Sequence, residues 1–440
     1  MEHSNAANRL DRLPISSFHK HLLFAVSLAY FFEFADINSF SAIVPRLIKE
    51  WGVTVNVVAY VTSLSFLGMF FGSMIGGVLA DRYGRCKALT ITTLWFSLFS
   101  ALSAFTWDIW SLGICRVITS AGLTAMTVVA VIYVNEIYPA RFRGKYQAYA
   151  ICIGICGTPV TNLIASAVVP LAPWAWRLVF IWGSLGIVYL LFHKKMIESP
   201  RWYESRGEYD KADKVLKYIE NEVSKEKGEL AVPSPAVPEA KVDKTPLAAL
   251  FQRKYFGTTV LLTIVWVTQT IGFFGYSSWA PMLLAKEGFS VEKSIFYVAL
   301  STIGAPLGPL LASMVTDRFE RKWCLVAFGT VIGVSGLFYG LTFNPIMIVV
   351  FGFIVNLFER GFTALGYAYS PELYDTKVRS LGTGLSYGIG RLSNAFGPLV
   401  IAYIYTGHGY QSVFYFIAGS WFVGAITVAL FGPKTKKSYS

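Results

Sequence analysis

Apolar residues in this chain come in long, nearly unbroken runs, and polar residues collect between them. Twelve runs can be marked, at 21–45, 57–80, 88–106, 109–134, 146–168, 176–193, 255–281, 294–316, 322–342, 345–369, 380–404 and 410–432. Most are roughly 20 residues long, enough to cross a bilayer core of about 30 Å as a helix. The pattern predicts an all-α membrane protein with twelve transmembrane helices. The intervals divide it into a polar tail at 1–20, six helices at 21–193, a long loop at 194–254, six more helices at 255–432 and a short tail at 433–440.

The two sets of six echo one another. The turn after the second run, Gly76 to Lys87, carries Asp81, Arg82 and Arg85, and a similar turn after the eighth run carries Asp317, Arg318 and Arg321. The offset is 236 residues (317 − 81), and it also pairs Tyr133 with Tyr369, Glu136 with Glu372, Tyr138 with Tyr374, Arg143 with Arg379 and Gly154 with Gly390. Not every position repeats, since Gly84 falls on Glu320. One constant offset still signals a duplication, hence two pseudo-symmetric six-helix halves.

Composition agrees: 54% of residues are hydrophobic and 15% charged, against about 25% charged in soluble domains. The net charge of +12 could suggest nucleic acid, but its distribution argues otherwise. Arg82, Arg85, Lys87, Arg141, Arg143 and Lys145 fall between runs on the side of the N-terminus, and the opposite side holds few basic residues. This positive-inside bias places both termini in the cytoplasm. No cleavable signal peptide is evident, because the first run is long enough to stay in the membrane.

The five cysteines lie in or at the ends of apolar runs, and no histidine clusters near them, so neither metal nor cofactor is expected. The central loop opens with E-S-P-R-W-Y-E-S-R-G-E-Y-D-K-A-D-K-V-L, a short amphipathic helix, and continues with the proline-rich linker A-V-P-S-P-A-V-P-E-A. No phosphate-cradling loop, H-E-x-x-H or G-x-S-x-G motif is present, which argues against an enzyme and against an ATP-driven pump within this chain.

The stretch G-G-V-L-A-D-R-Y-G-R resembles the loop between helices 2 and 3 of the major facilitator superfamily. Twelve spans, a central loop and the half-chain echo fit the same family, so the resemblance covers nearly the whole chain. E-S-P-R-W-Y, N-E-I-Y-P-A-R-F-R-G and P-E-L-Y-D-T-K-V-R-S-L-G-T-G are similar to a branch that contains sugar porters and proton-linked organic-acid carriers. The closing G-P-K-T-K-K resembles the sugar porters' P-E-T-K-G, with Lys434 where they have glutamate. Glu33 with Asp36, W-A-P at Trp279 to Pro281, and G-R-L-S-N-A-F-G-P from Gly390 resemble the aromatic-acid and niacin carriers. The sequence departs from these at Ser393 and at the Glu359-Arg360 pair.

The resemblance implies a monomeric secondary carrier, its partners a small substrate, protons and the bilayer. Substrate would bind near the midplane between halves that alternate access. A charge inside a span normally faces a cavity or a partner. Arg391 is the candidate for holding a carboxylate, through its planar fork; the alternative is a permanent pair with Glu359 or Asp36. Glu33 and Asp36 are candidates for the coupling proton. Arg116 resembles the fourth-helix arginine that partners a first-helix aspartate in proton-linked sugar porters, or it snorkels to the outer surface.

Gln269, the repeat partner of Glu33, is a candidate cavity residue, as are Asn394 and the aromatic Tyr30. Adjacent Glu359 and Arg360 point about 100° apart, so one can meet substrate while the other pairs with a neighbouring helix. Asp81, Arg85, Glu136 and Arg143, with Asp317, Arg321, Glu372 and Arg379, form an expected cytoplasmic gate of ion pairs between loops. These residues predict proton-coupled symport of a small organic anion, with aromatic and pyridine carboxylates as candidates. A sugar symporter or facilitator and a transporter-like receptor without net flux are the alternatives.

Overall fold

The computed structural model describes residues 6–193, 196–233, 247–316, 318–375 and 378–435. A short helix α1 (Ala6–Asp11) precedes the first span α2 (Ser17–Trp51), which left-handed Gly52 ends at φ 63°. The next spans are α3 (Val55–Tyr83), α4 (Arg85–Ser103) and α5 (Ile109–Ile137). The fifth is α6 (Ala140–Ile155) with α7 (Gly157–Val168), and the sixth contains α8 (Arg177–Ser184) and α9 (Leu190–His193). Where the sequence suggests one short amphipathic helix, the structure has two, α10 (Pro200–Ser205) and α11 (Tyr209–Lys227), because Gly207 breaks the stretch at φ 75°. Most of the proline-rich linker lies outside the described residues.

The second half holds α12 (Arg253–Ser277), α13 (Ala280–Lys286), α14 (Val291–Thr302), α15 (Gly308–Thr316), α16 (Arg321–Leu341) and α17 (Pro345–Glu372). It closes with α18 (Arg379–Ser393), α19 (Gly397–His408) and α20 (Tyr410–Phe431). Among the described residues, eleven spans are continuous enough, by length and hydropathy, to cross a membrane. The remaining one is interrupted at 394–396, between α18 and α19. Large apolar side chains such as Val78, Ile114 and Leu430 point outward from the spans, as a lipid environment requires.

The duplication is built into the packing. Gly68 and Gly76 let α3 approach α5 so closely that a Cβ would stand 2.5 Å from the Val117 carbonyl and 2.6 Å from that of Ala125. Gly304, the repeat partner of Gly68, meets the Phe353 carbonyl of α17 in the same way, at 2.6 Å, and Phe353 is the repeat partner of Val117. Small residues at helix crossings substitute for the hydrophobic drive that lipid cannot supply. Likewise Gly154 receives Tyr30, and its partner Gly390 receives Trp266, the partner of Tyr30.

The halves pack mainly on the face away from the termini, through α7 on α14 and α3 on α19, with α13 and α14 against α2. Toward the terminal face they touch sparsely, through α6 and α18. That face carries its own layer. Leu10 and Leu13 bury against Leu216, Ile219 and Val223 of α11. Arg9 bridges Asp213 at 2.7 Å and Glu220 at 2.6 Å, and Arg12 reaches Glu220 at 2.7 Å. Burial alone would raise the Glu220 carboxyl, but the hydrogen bonds from Arg9 and Arg12 outweigh it and hold it below its ordinary value. Residues 6–13 are therefore docked structure rather than the free polar tail the sequence suggests.

Candidate functional site

Among the described residues, six charged side chains lie deep within the spans, and the structure sorts them into three groups. The first is closed. Asp36 of α2 is fully buried and accepts a hydrogen bond from Arg116 Nη1 of α5 at 2.8 Å. Arg116 Nη2 also donates to the Asp36 carbonyl at 3.1 Å, and the Ser100 hydroxyl donates to the carboxylate. The guanidinium lies 5.3 Å from the Phe180 ring. Arg116 is 3% exposed, so it faces inward to Asp36 and does not snorkel.

The second group belongs to α12 and α17. Gln269 Nε2 donates to Glu359 Oε1 at 3.1 Å and to Thr363 at 3.0 Å, and the Thr363 hydroxyl donates to the same carboxylate oxygen at 3.0 Å. Arg360 approaches Glu359 Oε2 at 3.5 Å and lies 4.4 Å from the Phe273 ring and 5.4 Å from that of Phe34. The adjacent pair thus divides its directions: Glu359 turns to α12, and Arg360 spans to the first half. Arg360 also lines a cavity of about 50 Å³ between the halves, with Asn38, Ser41, Thr62, Phe274 and Arg116.

The third group is open. Glu33 accepts from the Thr127 hydroxyl through Oε1, while Oε2 is buried with no hydrogen-bond partner among the described residues. Arg391 and Arg360, both from the other half, lie within electrostatic reach of it. Arg391 Nε donates to the Tyr387 hydroxyl at 2.8 Å, one turn away on α18, and Tyr387 receives the Tyr367 hydroxyl at 2.6 Å. Trp266 packs on both tyrosine rings, at 4.9 and 5.1 Å between centroids. No carboxylate stands within ion-pair distance of Arg391 among the described residues. Of the two acids considered as its permanent partner, Asp36 is engaged by Arg116 and Glu359 by Gln269.

Tyr30 and Asn394 do not join these groups. Tyr30 is buried against Gly154 and receives Gln147 at 2.9 Å. Asn394 is buried in the break that follows α18. Sequence reading also missed Thr127, Thr363, Tyr367 and Tyr387. The repeat offered a signal for the first two: Thr127 and Thr363 are 236 apart (363 − 127), as are Glu33 and Gln269, so the same two positions bond in both halves, with Thr127 donating to Glu33 and Thr363 accepting from Gln269.

On the terminal face, Arg85 binds Glu136 at 2.8 Å and Asp81 at 3.1 Å, and Ser199 donates to Glu136 at 2.5 Å. Arg321 pairs with Glu372 in the same arrangement in the second half. Arg143 turns to Asp11 at 4.0 Å, Arg379 is exposed without an ion pair among the described residues, and Asp317 lies outside them. The pairs join loops within each half; in this conformation none of those described crosses between halves. Glu198 accepts from the backbone N–H of Arg85 at 2.7 Å and of Cys86 at 3.1 Å, at the start of α4. Its repeat position holds Lys434, yet the contact survives with the charge moved: Glu320 accepts from Thr435 N–H at 2.7 Å.

Residues 27–439 match the family described as "Sugar (and other) transporter". The chain belongs to that family. YyaJ of Bacillus subtilis, which carries a provisional metabolite-transport name, is 47% identical over 433 residues, covering 98% of this chain and 96% of that protein. The niacin transporter NiaP of Acinetobacter baylyi is 28% identical over 431 residues, covering 98% and 97%. The fold matches the partially occluded, inward-open xylose transporter XylE of E. coli with a TM-score of 0.76 at 16% identity, over 97% of this chain and 100% of that one. The protein is therefore a multi-pass membrane transporter of the major facilitator fold, with twelve spans in two halves, and not an enzyme.

Proposed function

We propose that this transporter is a proton-coupled symporter of a small organic anion, of the aromatic or pyridine carboxylate kind. The observation that carries the reading is Arg391: an always-charged guanidinium deep in the spans, donating to the Tyr387 hydroxyl, with no acid paired to it among the described residues. Its two terminal nitrogens match the two oxygens of a carboxylate. Trp266, Tyr367 and Tyr387 supply ring faces beside it. The similarity to a niacin transporter supports the same class.

Of the two α2 carboxylates, we assign the proton to Glu33, which has an unbonded oxygen, and assign to Asp36 and Arg116 the pair that fixes α2 against α5. The terminal face is assigned to the cytoplasm from its basic loops. The conformation is then inward-open, and the ion pairs within each half are those of a parted gate. The test is uptake into proteoliposomes with the inside alkaline. Uphill uptake of labelled nicotinate or benzoate, abolished by Arg391→Ala, is the expected result. Hexose uptake that survives Arg391→Ala sinks the anion reading and promotes the sugar carrier. Ligand binding without flux favours the receptor.

A further inference from the structure

We infer that the occluded core of this carrier moves only when its charges sum to zero, so that one proton on Glu33 accompanies one monovalent anion on Arg391 and no net charge crosses the membrane. The inference rests on the anion-symport reading and adds to it the charge class of the substrate and the stoichiometry.

Among the described residues, the charged side chains deep in the spans are Glu33, Asp36, Arg116, Glu359, Arg360 and Arg391. Asp36 and Arg116 neutralise one another at 2.8 Å, and Glu359 and Arg360 stand 3.5 Å apart. What remains is one acid, Glu33, and one base, Arg391. They belong to opposite halves and lie within electrostatic reach of each other. The groups facing Glu33 are Thr127 on α5, Arg391 on α18, Arg360 on α17, and Tyr30 one turn away on its own helix.

Four loaded states follow. The empty carrier with ionised Glu33 is neutral. The carrier with one monoanion on Arg391 and a proton on Glu33 is neutral again. Anion alone leaves one uncompensated negative charge, and proton alone leaves one positive charge. An uncompensated charge between closed halves, with no water to solvate it, opposes occlusion. Only the first two states change face, which is the definition of tight coupling. The exchange is physical as well as numerical. The incoming carboxylate occupies the guanidinium that Glu33 otherwise attracts, and Glu33 then takes a proton from the water of the open side. On the other side the proton returns to water as the anion leaves.

The rule denies proton-driven accumulation to two kinds of ligand that rings and shape would admit. A neutral amide of the same ring crosses with Glu33 ionised and carries no proton, because it leaves the proton-loaded core positive. A dianion leaves it negative, since Glu33 is the one acid left without a basic partner. Nicotinate should accumulate with the pH gradient, nicotinamide should at most equilibrate, and pyridine-2,3-dicarboxylate should not be carried.

The test uses the full chain in proteoliposomes and labelled nicotinate or benzoate. With a potassium diffusion potential of either sign and no pH difference, uptake should equilibrate without accumulation. With a pH difference and the potential clamped to zero, accumulation should reach about tenfold per pH unit. Accumulation driven by an inside-positive potential, as for an anion uniporter, overturns the rule; so does accumulation driven by an inside-negative potential, which requires more than one proton. If no monocarboxylate moves under any gradient, the anion reading falls and the charge rule with it. Potential-driven uptake overturns the rule alone. Glu33→Gln supplies a second readout: its anion-loaded core is neutral but its empty core is positive, so it should exchange labelled for unlabelled anion and lose net uptake driven by the pH gradient. A Glu33→Gln carrier that still accumulates against a pH gradient overturns the assignment, and Glu33→Asp should retain coupling.

Discussion

Asp36→Asn separates a structural pair from a transport residue. In the protein, Asp36 has no exposed surface, Arg116 is 3% exposed, and two hydrogen bonds join them, at 2.8 Å to the carboxylate and 3.1 Å to the Asp36 carbonyl. The carboxylate has no room to turn aside: Gly183 packs so closely that a Cβ there would stand 3.2 Å from Asp36 Cγ. An asparagine in this position turns an amide toward a guanidinium that cannot shed its proton. Breaking a buried pair by removing one partner costs about 3–5 kcal/mol, which is roughly two to four powers of ten in the folded-to-unfolded ratio. Arg116→Met should also cost stability, since the Asp36 carboxylate is then left with the Ser100 hydroxyl as its donor among the described side chains. Asp36→Asn combined with Arg116→Met should recover most of the loss, since replacing both members of a buried pair is often near neutral. The assay is denaturant or thermal unfolding of the purified protein in detergent, followed by tryptophan fluorescence, with the double-mutant cycle completed. An Asp36→Asn protein within about 0.5 kcal/mol of wild type, a size typical of surface substitutions, would refute the reasoning. So would a double variant no more stable than Asp36→Asn.

Three further outcomes are expected. Tyr387→Phe removes the bonded neighbour of the Arg391 guanidinium; a hydrogen bond to a charged group is worth about 1.5–3 kcal/mol, so KM for a carboxylate should rise roughly tenfold or more with the protein still folded. Gly76→Leu should destabilise strongly, since even a Cβ would stand 2.6 Å from the Ala125 carbonyl, whereas neighbouring Gly77→Leu, with nothing within 4 Å of its Cβ position, should be tolerated; expression and melting temperature compare them. The docking of residues 6–13 should depend on pH. Glu226 is held down to about 2 by hydrogen bonds from the Ser17 backbone, and Asp213 is held below its ordinary value by Lys217 and Arg9. Because these carboxyls are depressed when docked, their contribution is complete above the ordinary carboxylate range and is lost as pH falls through the depressed values. Amide protection factors at Ala6–Asp11, relative to the unfolded chain at the same pH, should therefore be high at neutral pH and fall in acid, and Arg9→Glu should lower them at neutral pH.

What the sequence made legible, and what it did not, follows from the range of each interaction. The spans were legible because burial in lipid is decided by each run alone. The break at 394–396 was hinted at by N-A-F-G-P, where a glycine and a proline interrupt the apolar run. Arg116 with Asp36 was legible through resemblance. That Glu359 faces α12 was not, because helix spacing gives an angle about one axis and says nothing of which neighbour lies there. The docked N-terminal segment was hidden for a related reason: Leu10 and Leu13 are too few to mark an amphipathic helix, and their partners stand more than 200 residues away. The gate shows the deepest limit. Arg85 with Glu136 and Arg321 with Glu372 were recognisable as matched acids and bases, but a sequence encodes all conformations of a carrier at once. Whether such pairs bridge the halves or close within them is a property of one state, and a chain built to alternate must keep both arrangements accessible. The same reasoning applies to Glu33 in its proposed role as the proton site. A side chain serving two states cannot be saturated in either, and its unbonded buried oxygen is what such a compromise leaves in one of them.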